Sequence, residues 1–349
     1  MRSTKCITLT PCQCEVCGSR SGLLRCSGCQ LVYFCSSAHQ RSHWKKHKTP
    51  CIAIKKARAK FLEEEAALQN TPANEFESVF EADVGHFGHT EGTDDYMVRR
   101  SDLVDAILMY LPRHESSVET ALDHIMDMFR LNRSDYLGQR ALVPSLMLRL
   151  WRDQDAYDFM KWWAMCDIDE YDWEDLELPY LDTRNADVFE EPVWWTGKAL
   201  TMSHTSAVAL IKLRVLFKLR DLQNTLRALQ ASALPREIID QVLWELLADS
   251  LLAGRLDLVS ADTETLATMI GRIMKQIRGL YAAVEKTNMG FWPILISFQD
   301  DHPKWETPES YSLDSRSEAE FMVMYTHLAW EQTPGALDEI EAIQSCQNH

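Results

Sequence analysis

Long apolar runs are missing from this chain of 349 residues. Its most apolar stretch, 208–219, is interrupted by Lys212, Arg214 and Lys218, whereas a membrane-spanning helix needs about 20 apolar residues. Residues 1–11 (MRSTKCITLTP) also lack the apolar core of roughly 7–15 residues that a secretory signal contains. We therefore expect a protein of the cytoplasm or nucleus without a membrane partner. In those compartments clustered cysteines bind metal more often than they form disulfides.

Positive charge is scarce outside the N-terminal region. The net charge is −16, yet the first 60 residues hold 12 Lys and Arg against one acid, Glu15, so the rest holds 24 basic and 51 acidic side chains. An excess of carboxylates repels a phosphate backbone, which disfavours nucleic acid as the main partner. A basic head on an acidic body indicates two parts with different surfaces.

Glycine is sparse as well, with 13 residues, and the sequence contains no HExxH, GxSxG, P-loop or GxGxxG motif. In common enzyme classes these motifs hold a metal ion, a nucleophile or a phosphate group. Their absence favours a protein without catalytic activity.

Cysteine, in contrast, is concentrated, because eight of the ten cysteines lie in the first 51 residues. Six of them combine with two histidines in four pairs: Cys14 with Cys17, Cys26 with Cys29, Cys35 with His39, and His47 with Cys51. A C-x2-C turn aims two thiolates at one ion, and residues four apart lie on one face of a helix. Eight such ligands are enough for two tetrahedral zinc sites. Disulfides or idle thiols are the alternative, and Cys6 and Cys12 outside the pattern are expected to be spare thiols.

The run C-x2-C-x8-C-x2-C-x5-C-x3-H-x7-H-x3-C resembles the MYND finger. Accessory residues of that family match too, with Tyr33 and Phe34 before the fifth ligand, Gln40 after the sixth and Trp44 before the seventh. The family usually has Cys at the sixth position, where this sequence has His39, and His43 is the nearest substitute.

The resemblance implies two interleaved zinc sites. One would be formed by Cys14, Cys17, Cys35 and His39, and the other by Cys26, Cys29, His47 and Cys51. Four protein ligands leave no open coordination position, which is typical of structural rather than catalytic zinc. A module this small buries too little surface to fold alone, so metal binding supplies much of its folding energy.

The resemblance also implies a partner, because MYND fingers mostly bind short proline-rich peptides, often in transcriptional corepressors. The positions that match the family's peptide groove are Ser27, Gln40 and Trp44. A proline-rich segment is already extended, so its binding orders little chain, and a Trp face offers the prolines a flat apolar contact. Packing around the zinc sites is the alternative role for Trp44.

The remainder is predicted to be helical. Apolar residues at helical spacing predict helices over 52–69, 103–111, 118–129, 142–151, 157–165, 205–229 and 236–253, another from Ser260 or Asp262 to about 285, and a last one over 317–331. The sequence therefore divides into a MYND-type zinc finger at 14–51, a helix and acidic linker at 52–95, and an all-α domain at 96–349. This domain is expected to be a bundle or a TPR/HEAT-like stack, and its segment 140–163 is distantly similar to helical regions of fungal MYND proteins.

Segment 167–191 is strongly acidic, with 11 Asp and Glu against one base, Arg184. A calcium loop is excluded because Tyr171 and Asp172 stand where a third ligand and a Gly are required. We expect a solvated loop, and a docking strip for a basic partner is the alternative.

Some MYND proteins are enzymes, and two such classes have residue patterns that can be recognised in a sequence. A SET methyltransferase needs Gly-rich cofactor loops and an Asn-His pair, which occurs here only at 348–349, and an iron oxygenase needs an H-x-D pair, which is absent. We therefore interpret the chain as a zinc-binding adaptor. Its finger would dock a Pro-rich peptide and its helical body a second protein, with transcriptional regulation as the expected setting. The alternative is a divergent S-adenosylmethionine-dependent methyltransferase.

Overall fold

The computed structural model describes residues 8–70, 78–197, 201–231, 234–248, 251–298 and 312–347. The chain divides into two compact units, which are described separately. The finger unit contains Ile7–Leu150 and Asp167–Tyr180, and the second unit contains Trp151–Cys166 and Leu181–His349. None of the helices in the described ranges combines the length and apolarity that crossing a membrane requires.

The described residues of the finger unit form two very short strands and five α-helices, besides a 3-10 turn at Gln139–Ala141. Its elements are β1 (Leu24–Arg25), β2 (Tyr33–Phe34), α1 (Ser37–Gln69), α2 (Val79–Ala82), α3 (Thr93–Tyr110), α4 (Glu115–Leu131) and α5 (Val143–Arg149). The strands form an antiparallel hairpin in which Leu24 pairs with Phe34. The segment 52–95 was predicted to be a helix followed by an acidic linker. Helix α2 lies within the predicted linker, and α3 begins at Thr93. Residues 71–77 lie outside the described ranges.

Helix α1 is the longest of the described elements, and it continues on both sides of Pro50, whereas the sequence predicted a helix that begins only at residue 52. The hydroxyl of Ser36 caps its start by accepting a hydrogen bond from the backbone N–H of His39 (3.2 Å). Pro50 lies inside the helix, where it removes the hydrogen bond to the carbonyl of Lys46. The side chain of Lys46 is exposed, so this turn of α1 lies at the surface.

The core of the finger unit lies between α1, α3 and α4. On α1 the side chains of Ile54, Phe61 and Leu68 are buried, and their seven-residue spacing keeps them on one face. That helix packs along α3, and α3 packs along α4. The 33-residue helix therefore contributes zinc-binding residues at one end and core residues at the other.

A polar group lies inside this core. Arg100 on α3 donates from Nε to Nδ1 of His124 (3.2 Å) and pairs with Asp127 on α4, while Phe61 packs edge-on against the imidazole (5.6 Å between ring centroids). Burial, followed by the charge of Arg100, lowers the pKa of His124 to about 4. The imidazole is therefore neutral in the folded chain at pH values where an unfolded histidine, with a pKa near 6.5, is already protonated.

This difference predicts a pH dependence of stability. As pH falls from about 6.5 towards 4, the unfolded chain binds a proton at His124 and the folded chain does not, so the free energy of unfolding decreases. We expect the urea midpoint to shift down between pH 7 and pH 5.5, and the shift to be smaller in His124→Gln than in the unmodified chain. An equal shift in both proteins would contradict this assignment.

The second unit is entirely helical in its described regular elements. They are α6 (Asp153–Met165), α7 (Met202–Gln230), α8 (Arg236–Ala248), α9 (Leu256–Val259), α10 (Thr263–Thr287), α11 (Phe291–Ser297), α12 (Arg316–Glu331) and α13 (Ala336–Gln347). Helix α7 lies at the centre, because α10 and α12 both pack on it and most of its first half is buried. This burial identifies α7 as a buried helix rather than a coiled-coil seam.

Several helix boundaries in this unit differ from the sequence predictions. Helix α8 is described as far as Ala248, and residues 251–254, of which the prediction placed 251–253 in the helix, form a turn. Asp262, rather than Ser260, caps α10 by accepting from the backbone N–H of Thr265 (2.7 Å). The prediction that 317–331 is the last helix is wrong, since α13 follows it, and α11 was also missed.

The acidic segment in the finger unit, Asp167–Tyr180, contains no helix or strand. The guanidinium of Arg133 donates to the backbone carbonyls of Asp175 (3.1 Å) and Leu176 (2.7 Å). The side chains of Asp169 and Asp172 are exposed. The loop is therefore held through its backbone, and its carboxylates face solvent.

Candidate zinc centre

Two tight turns present the C-x2-C cysteines. In the first, the carbonyl of Cys14 accepts from the N–H of Gly18 (2.9 Å), and in the second the carbonyl of Cys26 accepts from the N–H of Gln30 (2.9 Å). Both donors have a positive φ, 69° at Gly18 and 59° at Gln30, a conformation that costs little for Gly and more for Gln. The second turn also needs Gly28, because a Cβ there would lie 2.6 Å from the Sγ of Cys51.

The first cluster joins the first turn to the start of α1. Its members are Cys14, Cys17, Cys35 and His39. Nδ1 of His39 lies 3.4 Å from the Sγ of Cys14 and 3.2 Å from that of Cys35, and the Sγ atoms of Cys17 and Cys35 are 3.6 Å apart.

The second cluster is buried throughout and consists of Cys26, Cys29, His47 and Cys51. Nε2 of His47 lies 3.4 Å from the Sγ atoms of both Cys26 and Cys29. The Sγ atoms of Cys26 and Cys51 are 3.7 Å apart. His43, the possible substitute for His39, belongs to neither cluster of the described residues and packs its ring on Phe34 instead (5.8 Å).

These distances fit tetrahedral zinc. Zn–S and Zn–N bonds of about 2.3 and 2.0–2.1 Å place the ligand atoms roughly 3.5–3.8 Å apart on a tetrahedron. Within each cluster all four ligand atoms lie within 4.8 Å of one another. The finger thus has two Cys3His clusters consistent with two structural zinc ions, and each ligand's individual role stays a prediction.

The thiol pKa values show why each cluster suits a cation. Burial raises the pKa of Cys14, but backbone N–H groups of Cys35 and Cys17 outweigh it and bring that pKa to about 5. The hydrogen bond with Cys17, with burial and the negative charge of Cys14, raises the pKa of Cys35 to about 11. In the second cluster burial and Cys26 raise the pKa of Cys51 to about 12. Neighbouring thiols cannot all ionise together, because the thiolates repel one another. A divalent cation neutralises this negative charge, so all the thiols of a cluster can be deprotonated when it is bound.

The three residues matched to a peptide groove lie around the second cluster. Nε2 of Gln40 donates to the Sγ of Cys26 (3.5 Å), the residue that precedes the exposed Ser27. One turn further along α1, Trp44 is 40% exposed and packs edge-on against His47 (6.2 Å between centroids). Gln40 thus contacts the sulfur of a predicted zinc ligand, and nothing in the sequence indicated this contact.

The finger and the residues just before it are also bonded to the turn between α3 and α4 and to the first turn of α4, and nothing in the sequence indicated this. The N–H of Thr10 donates to the carbonyl of Arg113 (2.7 Å), and the hydroxyl of Ser116 donates to the carbonyl of Leu31 (2.7 Å). Glu15, the one acid of the basic head, pairs with His114 (3.1 Å).

Outside the finger, the second unit contains a cleft of about 600 Å³. Apolar side chains such as Phe217 and Leu252 line it together with charged ones that pair among themselves, Arg214 with Asp153 and Arg152 with Asp155. This balance of charge gives the cleft no preference for an anion or a cation. Cys12 is exposed and outside both clusters, and Cys6 lies outside the described residues.

Comparison with known proteins gives matches at the finger. The MYND finger family matches residues 14–51. Egl nine homolog 1 of Homo sapiens is 53% identical over 38 residues, which are 11% of this chain and 9% of that protein. Its Mus musculus counterpart is 50% identical over 38 residues, which are 11% of this chain and 10% of that protein. Histone-lysine N-methyltransferase ASHR1 of Arabidopsis thaliana is 38% identical over 53 residues, which are 14% of this chain and 11% of that protein. The chain thus spans about a tenth of the length of these relatives, and no solved structure matches it.

The matched residues coincide with the two Cys3His clusters and the hairpin between them. MYND fingers are zinc-binding protein-interaction modules, and this one precedes a largely helical body. Residues 14–51 of this chain belong to the MYND finger family.

Proposed function

We propose that this chain is an adaptor whose finger docks a proline-rich segment of another protein. The observation that carries the proposal is the exposure of Trp44, which keeps 40% of its surface in solvent although it packs against the buried second cluster. An indole left open on a rigid, metal-held surface offers prolines a flat apolar face.

Gln40 supports the same surface. Its amide nitrogen is occupied by Cys26, while Oε1 has no hydrogen bond within the part of the chain that the structure describes. An extended peptide has free backbone N–H groups that need such an acceptor. Ser27, exposed beside Cys26, is the third member of the proposed groove.

The proposal extends to the whole chain, which we divide into the finger at 14–51, the segment 52–95 and the helical part at 96–349. The helical part would dock a second protein, with transcriptional regulation in the cytoplasm or nucleus as the setting. The alternative, a divergent methyltransferase, draws on the name of the Arabidopsis relative, but that match covers 53 residues at the finger. Calorimetric titration with S-adenosylmethionine separates the two, since heat of binding favours the methyltransferase.

The test of the groove is Trp44→Ala. Truncation of an exposed aromatic anchor typically costs 2 kcal/mol or more, which corresponds to roughly a thirtyfold loss of affinity. We expect capture of a labelled proline-rich peptide by the full zinc-loaded chain to be lost and two zinc ions to remain bound.

The matched control is Trp244→Ala in the second unit, which removes a tryptophan of similar exposure, 44%. It should leave peptide affinity unchanged. Undiminished capture by Trp44→Ala, measured by fluorescence anisotropy, would refute the groove.

A further inference from the structure

We propose that the exposed face of α1 that runs from Trp44 past the last zinc ligand, Cys51, binds acidic residues next to the proline core, so the partner is an acidic proline-containing segment. This inference rests on the proposed function and adds the chemistry of the partner. The surface, called the α1 track, consists of Trp44, Lys48, Ile52 and Lys55.

The helical spacing places these four side chains in one row. At 100° per residue, Lys48, Ile52 and Lys55 lie about 40°, 80° and 20° around the helix axis from Trp44. All four are exposed, Trp44 by 40% and Ile52 by 50%. The buried core positions Ile54 and Phe61 lie about 80° and 100° from Trp44 in the opposite direction, and the buried ligand Cys51 borders the row at about 20°. The row therefore continues from the proposed groove past Cys51 along one side of it.

The charge on this row is not balanced locally. Neither Lys48 nor Lys55 forms an ion pair within the described residues. Among residues 8–60 the one acid is Glu15, and it is already paired with His114. Carboxylates on a partner would supply the missing charge along the α1 track.

The apolar members of the track favour a peptide over a nucleic acid. Trp44 and Ile52 interrupt the lysines with exposed apolar surface, which apolar side chains can cover and a phosphate backbone cannot. In addition, the chain beyond residue 60 carries 51 acids against 24 bases, which repels a polyanion with charge along its whole length.

The rise of the helix sets the spacing expected in the partner. Lys48 and Lys55 are four and eleven residues beyond Trp44, or about 6 and 16 Å along the axis at 1.5 Å per residue. An extended proline-rich chain advances about 3.1 Å per residue. The acidic residues should therefore lie about two and five residues from the proline on Trp44, and an apolar residue about four from it, opposite Ile52.

The experiment uses the full zinc-loaded chain and three labelled peptides of equal length with one proline core. One carries Glu two and five residues after the core, the second carries Glu at the same distances before it, and the third carries Gln at all four positions. We expect one Glu peptide to bind about tenfold tighter than the Gln peptide, because each exposed ion pair contributes roughly threefold. Rising salt should erase this difference.

The variant Lys48→Glu/Lys55→Glu should abolish the preference for Glu and leave the Gln peptide bound as before. Its matched control is Lys46→Glu/Lys60→Glu, which makes the same change in charge at exposed positions about 200° and 160° from Trp44. The control should keep the preference, and zinc content should be two in both variants.

Three results would overturn the inference. If all peptides bind equally and Trp44→Ala still abolishes binding, the proposed groove at Trp44 is supported and the preference for acidic residues is refuted. If no peptide binds, both proposals fail. If duplex DNA, but no Glu peptide, binds in a way that depends on Lys48 and Lys55, the track is a phosphate-binding surface.

Discussion

Removal of zinc from the full chain is expected to unfold more than residues 14–51. Structural zinc contributes about 10–16 kcal/mol in isolated zinc-finger peptides, and here the metal-held part shares α1 with the core formed by Ile54 and Phe61. In addition, Thr10, just before the finger, is bonded to Arg113 in the α3–α4 turn, and Leu31 of the finger is bonded to Ser116 in the first turn of α4. Loss of the metal should therefore loosen α1 and the first turns of α4 together.

Hydrogen exchange, measured with and without a strong chelator while a dye reports zinc release, tests this result. Release of two zinc ions per chain should coincide with loss of protection in α1 and at residues 113–118. Helices α10 and α12 serve as the internal control, since they pack on α7 in a separate core. Zinc release with unchanged protection at residues 113–118 would show that the finger folds independently of α4.

Replacement of His39 by Ala is expected to leave one zinc ion per chain instead of two. Its Nδ1 lies within 3.4 Å of two thiol sulfurs, so its removal leaves the first cluster with three ligands. The same change at His43 should keep both ions, because that ring packs on Phe34 outside the clusters. Metal analysis after dialysis measures both.

His39→Cys completes the test, because thiolate is also an ordinary zinc ligand. This variant should regain the second zinc ion and add one negative charge at the site. Loss of zinc in His43→Ala with retention in His39→Ala would reverse the ligand assignment.

The zinc clusters could be predicted from sequence because the prediction depends on residue type and on short spacings along the chain. Cysteine and histidine are strong zinc ligands, and their spacings already match turns and helix faces, so the eight residues were identified before any geometry was known. Most long helices were identified for a similar reason: Leu103 to Leu111 and Val118 to Phe129 carry a regular apolar period. Boundaries were less accurate where a turn such as 251–254 follows without a strong breaker before it.

Contacts between distant residues could not be predicted. Glu15 and His114 are 99 residues apart, and Leu31 and Ser116 are 85 apart, and nothing in either local sequence marks its partner. The continuity of α1 was missed because Pro50 usually ends a helix. Packing of the residues after it on α3 outweighs the one hydrogen bond that it removes.

The unbroken α1 also fixes the angle, measured around the helix axis, between its zinc ligands and its core residues. Each residue added between Cys51 and Ile54 would turn the metal-held end by about 100° relative to the side of α1 that packs on α3. Insertions of about seven, eleven or eighteen residues restore nearly the same angle, and most other lengths do not. Length changes in this helix are therefore restricted to a few values, and the direction in which Trp44 faces is set by a residue count as much as by its own contacts.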